Sequence, residues 1–100
     1  MTIYQLLDTQ LNMPVAYGYH SQKQDLPYLV IIGAGQEAFQ ADTTYYMTKD
    51  NWQIELYFKT KDPENEKAIE ELLLNNGYRY DKSEDVYIES EDVFVIYYDI

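Results

Sequence analysis

The chain contains no cysteine, which excludes a disulfide framework, a thiolate nucleophile and a cysteine-ligated metal. Basic residues are scarce: 7 Lys and Arg stand against 18 Asp and Glu, for a net charge of −11. Nucleic-acid binders neutralise phosphates with clustered cations, and docking on anionic lipid needs basic patches, so neither class is expected. The single histidine, His20, cannot assemble a transition-metal site unless carboxylates supply every other ligand. It also has no recognisable nucleophile or orienting group beside it, and reads as a surface or loop residue. Long hydrophobic runs are missing as well. Stretches such as residues 28–32 are far shorter than the roughly 20 residues a membrane-spanning helix requires. The opening TIYQLLDTQLN lacks the charged and apolar regions of a secretory leader, so a soluble protein of a reducing cytoplasm is expected.

What is present is one domain's worth of chain. One hundred residues, 46% of them hydrophobic, bury a modest core, and no repeat, linker or low-complexity stretch divides residues 1–100. Ile3, Leu6, Leu7 and Leu11 fall at helical spacing behind Thr2 as N-cap, with Pro14 beyond the end. PVAYGYH reads as a strand, SQKQD as a loop, and PYLVIIG as a central strand buried on both faces. Two glycines in GAGQEAFQAD suggest a loop or bulged turn. TTYYMT and NWQIELYFKT then read as a hairpin around Lys49, Asp50 and Asn51. In its second strand Trp52, Ile54, Leu56 and Phe58 share the expected core face, opposite Gln53, Glu55, Tyr57 and Lys59. Asp62 and Pro63 open a second helix with Ile69, Leu72 and Leu73 as its buried stripe, and Gly77 closes it. Two or three further strands follow. The expected fold is α+β: a mainly antiparallel sheet carrying two helices, in the order α-β-β-β-β-α-β-β.

Candidate chemistry is thin along this frame. Glu64, Glu66, Glu70 and Glu71 lie off the apolar stripe of their helix, so water is expected to solvate them and leave no shifted catalytic carboxylate. The Gly33-Ala34-Gly35 turn lacks the third glycine of a nucleotide-binding loop. Residues 81–92 place acids at several calcium-loop positions. Val86 stands where that loop needs glycine, however, and Asp92 where it needs a bidentate glutamate. No catalytic, cofactor-binding or metal residue is assigned, and no enzyme is expected. Twelve tyrosines are the remaining signal, since tyrosine suits half-buried sheet faces and subunit interfaces alike.

The stretches PVAYGY, PYLVIIG followed by ADTTYY, QIELYFKTKD and YIESEDVFVIYY resemble small head-to-tail connection (neck) proteins of Gram-positive tailed phages and prophages. The likeness runs over nearly the whole chain, and the element order resembles that of tail-terminator, or tail-to-head joining, proteins. This resemblance implies a structural protein of virion assembly without a cofactor. It also implies a homo-oligomeric ring, commonly a hexamer, that caps the tail tube, meets the head connector and lets DNA pass without gripping it. The implied location is the virion neck, and the host cytoplasm during assembly. Within that expectation, Gly33, Gly35, Phe39, Glu55, Tyr57 and Lys59 are candidates for contact with a neighbouring subunit or ring. Asp81, Glu84 and Asp85 are candidates for an acidic lumen, which would repel the passing duplex. The alternative is a small acidic phage inhibitor that mimics DNA and occupies a host nucleic-acid enzyme.

Overall fold

A computed structural model describes residues 1–40 and 46–100. Thr2 caps the first helix, α1 (Ile3–Gln10), through a reciprocal box: its hydroxyl accepts from the Gln5 amide, and the Gln5 side chain accepts from the Thr2 amide. A short strand, β1 (Val15–Tyr17), follows. Residues 18–27 then cross over to β2 (Tyr28–Gln40), which runs parallel to β1. The long antiparallel partner of β2 is β3 (Tyr46–Phe58). Asp62 caps α2 (Pro63–Asn75) by accepting from the Asn65 amide at 3.3 Å, with Pro63 in the first turn, where a missing amide proton costs nothing. The helix closes on Gly77 at φ +83°: the Tyr78 amide donates to Leu73 and the Gly77 amide to Leu74, a Schellman ending.

The last three strands are β4 (Asp81–Lys82), β5 (Val86–Ile88) and β6 (Val93–Asp99). Both β4 and β5 lie on one edge of β6, so they form one interrupted edge strand. The interruption is a bulge at which Ser83 stands in for a backbone pairing. Its hydroxyl oxygen accepts from the Tyr97 amide, and its own amide donates to the Tyr97 carbonyl. The sheet order is β1-β2-β3-β6-β4, antiparallel throughout except for β1 with β2.

Both helices pack on the same face of this sheet. Ile3 and Leu7 from α1 and Ile69 and Leu73 from α2 meet Leu29 and Ile31 of β2, Ile54, Leu56 and Phe58 of β3, and Ile96 and Tyr98 of β6. Each of these aliphatic side chains, withdrawn from water, contributes about 1.5–3 kcal/mol. The expected class and the succession helix, strands, helix, strands are present, as is the inward face of Ile54, Leu56 and Phe58. Trp52 is only half-buried at its margin.

Two local expectations are overturned. Residues 33–40 are not a loop but the outer half of β2, and Lys49, Asp50 and Asn51 are not a turn but the interior of β3. Together these stretches make a two-stranded arm beyond the sheet, with Glu37 paired to Lys49, Phe39 to Met47 and Gln40 to Tyr46. At the root of the arm the register shifts between Gly33 and Gln36, and Gly35 takes φ +99°, a bulge that glycine adopts without penalty. The physical reason for the misreading is solvation. Neither face of the arm meets the core, so it lacks the alternation that marks a strand. The remainder of the expected TTYYMT strand, Thr43 to Tyr45, lies outside the described residues. The arm lengthens the molecule to 51 Å against 27 and 26 Å across.

Candidate functional site

Three features stand out: the arm, an aromatic groove on the sheet face away from the helices, and a buried ionic cluster. On the arm, every described residue of β2 from Gly33 onward is exposed, including Phe39 at 49%. Met47, its register partner across the arm, is 48% exposed. An isolated two-stranded ribbon is marginal in water, and this one offers unpaired edges and an apolar pair to whatever meets it. Gly33, Gly35 and Phe39 are therefore brought together on one projecting element. Beside its root, the Tyr17 ring meets Trp52 edge-on at 6.3 Å, and Tyr17 is itself 58% exposed.

The outward face of β2 and β3 does not stay open, because the 18–27 segment folds over it. Between them lies a groove of about 460 Å³, lined chiefly by Tyr19, His20, Tyr28, Glu55, Tyr57 and Glu91, with Val30 and Val93 also contributing. Tyr28 and Tyr57 are direct register partners, and their rings stack at 5.0 Å between centroids. The His20 ring meets Tyr28 edge-on at 4.9 Å, and its Nε2 lies 3.0 Å from the Leu29 carbonyl. A carbonyl can only accept, so Nε2 carries the proton and donates. The Tyr57 hydroxyl donates to Glu55 at 2.7 Å. Burial pushes the Tyr57 phenol well above its ordinary value, and the Glu55 hydrogen bond and charge push the same way. Burial also raises Tyr28, helped by the carboxylates of Glu91 and Glu55. Both phenols thus remain neutral at physiological pH.

Of the candidates on β3, Glu55 and Tyr57 belong to this groove. Lys59 does not. It stands exposed at the strand's end, where its ammonium pairs with the Asp92 carboxylate and donates to the Asp92 carbonyl at 2.9 Å. Asp92 holds a positive φ of 54° in the β5–β6 turn and also accepts from the Tyr87 hydroxyl. The lysine and the tyrosine hydrogen bonds hold its carboxyl below the ordinary range.

The third feature corrects an expectation. Glu66 is not solvated: it is 4% exposed. Lys82 reaches Glu66 Oε1 at 2.8 Å and Glu70 Oε2 at 2.8 Å. Lys61 lies 3.0 Å from Glu66 Oε1 in hydrogen-bonding geometry and 2.9 Å from Oε2, where charge attraction acts without an aligned proton. Glu70 accepts from the Tyr98 hydroxyl at 2.7 Å. Burial alone would raise both carboxyls, but the lysines outweigh it for Glu66, and Lys82 with the hydroxyls of Tyr98 and Tyr80, the latter 3.4 Å from Glu70 Oε1, outweighs it for Glu70. The cluster is therefore an ionised clamp tying α2 to the edge of the sheet, with every lysine already occupied. Glu64 and Glu71 are exposed, as anticipated.

Asp81, Glu84 and Asp85 are all exposed along the β4–β5 edge, and Asp85 pairs with Lys61 at 3.0 Å. Residues 81–92 form strand segments and a turn. Among the described residues no three of His, Asp and Glu converge as metal ligands, and no helix is long and apolar enough to cross a membrane. Sequence reasoning missed Tyr28, Glu91 and the inward turn of Glu66. The first two join the groove only through the β2–β3 register and the β5–β6 turn. No protein-family model matches the chain, and no curated protein matches its sequence.

Proposed function

We propose that this chain is a structural assembly subunit of the phage head–tail junction, a tail-terminator-like protein that forms a homo-oligomeric ring. The observation that carries this reading is the arm. Residues 33–40 and 46–51 project from the sheet with Phe39 and Met47 side by side and half-exposed, and no other element among the described residues covers them. A ribbon of this kind gains stability when a neighbouring copy pairs with its edge or covers its apolar pair. The resemblance of PVAYGY, PYLVIIG and YIESEDVFVIYY to phage neck proteins supplies the biological context. Ring contacts are assigned to Gly33, Gly35 and Phe39 on the arm, and the exposed Asp81, Glu84 and Asp85 are assigned to the lumen. An acidic lining there would keep passing DNA from adhering.

The DNA-mimic alternative requires free carboxylates at phosphate-like spacing on one surface. Glu66, Glu70, Glu71, Asp85 and Asp92 are instead engaged by lysines of the chain itself, which favours the assembly reading. Sedimentation velocity tests it. The wild-type chain should form a defined oligomer at micromolar concentration, and the double variant Phe39→Ser with Met47→Ser should remain a folded monomer. A monomeric wild type at 100 µM (a concentration of roughly the scale at which weak protein contacts saturate) would remove the proposal's basis.

A further inference from the structure

We infer that the groove between the 18–27 segment and the outer face of β2–β3 is a receptor for an arginine side chain of a basic partner protein. The inference stands apart from the ring reading, because it rests on a different face of the sheet.

The groove brings aromatic, acidic and apolar residues together. Its ordered rings are those of Tyr28 and Tyr57, with Tyr19 also at the lining, and its acidic residues are Glu55 and Glu91. Stacking fixes Tyr28 against Tyr57, and the Tyr57 hydroxyl holds one oxygen of Glu55, so rings and carboxylate are set before a guest arrives. A preorganised site of this kind loses little conformational freedom on binding. Glu91 lies exposed beside the β5–β6 turn, close enough for its charge, with that of Glu55, to be felt at the Tyr28 phenol. Val30 and Val93 add an apolar lining along which a side-chain stem can lie. A guanidinium suits this arrangement better than an ammonium. It is planar, stacks on tyrosine faces and donates to carboxylates through a rigid fork. The volume of about 460 Å³ admits an arginine with its flanking backbone, and the chain's net charge of −11 favours the approach of a basic partner. Among the described residues, Lys23 of the 18–27 segment is the one lysine or arginine lining the groove, and it is the natural competitor.

The test is a two-dimensional NMR titration of the full chain with a blocked Gly-Arg-Gly peptide, and with the same peptide carrying citrulline, the uncharged isostere. Arginine should shift the amide signals of residues 19–30, 53–57 and 91–93 with a saturable, millimolar-range response, while citrulline should leave them in place. Glu55→Gln combined with Glu91→Gln retains shape and hydrogen-bond acceptors, and should weaken the arginine response at least tenfold. Lys23→Ala should strengthen it. Equal responses to both peptides, or no response at the groove, would overturn the inference. A response seen only in Arg79→Ala would keep the arginine site but identify its occupant as a second copy of this chain and overturn the assignment to a different partner. Failure of ring formation leaves these outcomes unaffected, because the peptide reads the groove in any assembly state.

Discussion

Replacing Lys82 with methionine is the most informative perturbation of the fold. It keeps the length and apolar stem of the side chain but removes the one ammonium shared by Glu66 and Glu70. Breaking a fully buried pair by deleting one partner costs about 3–5 kcal/mol, because the other charge is left without compensation. Two facts reduce that figure here. The Lys82 side chain is 33% exposed, so water already reaches part of the site, and Lys61 still lies 2.9 Å from Glu66. We therefore expect Lys82→Met to lose about 2 kcal/mol at pH 7 by urea denaturation. Lys67→Met, which removes an exposed 3.8 Å contact with Glu71, should lose less than about 0.5 kcal/mol. Adding Glu70→Gln to Lys82→Met should recover a good part of the loss, since Glu70 is the carboxylate left without a lysine, whereas Glu66 keeps Lys61. The pH dependence follows with a definite sign. Glu66 and Glu70 are held below the ordinary 4.5, so the unfolded chain takes up protons first. Their contribution is complete at neutral pH and fades as pH falls through 4.5 toward the depressed folded values. In Lys82→Met the burial that raises these carboxyls meets less opposition, so the acid limb of the stability curve should flatten. Equal losses for Lys82→Met and Lys67→Met, or an unchanged acid limb, would refute the clamp.

Three further outcomes are expected. Gly77→Ala should cost about 1–2 kcal/mol in urea denaturation, because φ +83° strains a residue with a Cβ although nothing crowds it. Tyr98→Phe should cost about 1–2 kcal/mol by the same assay, for the charge-assisted bond donated to Glu70, while Lys82 still satisfies the carboxylate. Phe39→Ser with Met47→Ser should shift the monomer's stability by no more than about 0.5 kcal/mol per site, since both side chains are half-exposed, yet change the sedimentation profile.

The legibility of the sequence follows from where its residues meet the core. Ile54, Leu56 and Phe58 alternate because one side of β3 faces the helices, and Ile69 and Leu73 recur at helical spacing for the same reason. The caps at Thr2, Asp62 and Gly77 are local chemistry and could be read directly. The arm could not. With solvent on both sides, Gly33 to Gln40 shows no period, and Lys49, Asp50 and Asn51 have the composition of a turn without being one. Glu66 was misjudged because its burial is imposed from outside its helix, by lysines 5 positions before it and 16 after it. The groove was half legible. Glu55 and Tyr57 follow from strand alternation, but Tyr28 joins them only through register and Glu91 only through the turn after β5.

The central claim is that copies of this chain close into a ring through their projecting arms. Electron microscopy of the purified protein tests it most directly, with class averages compared between wild type and the Phe39→Ser, Met47→Ser variant. The account predicts closed rings with a central channel for the wild type, Asp81, Glu84 and Asp85 facing that channel, and dispersed small particles for the variant. Particles no larger than one 11.9 kDa chain in both samples, or rings that persist unchanged without the apolar pair, would contradict it.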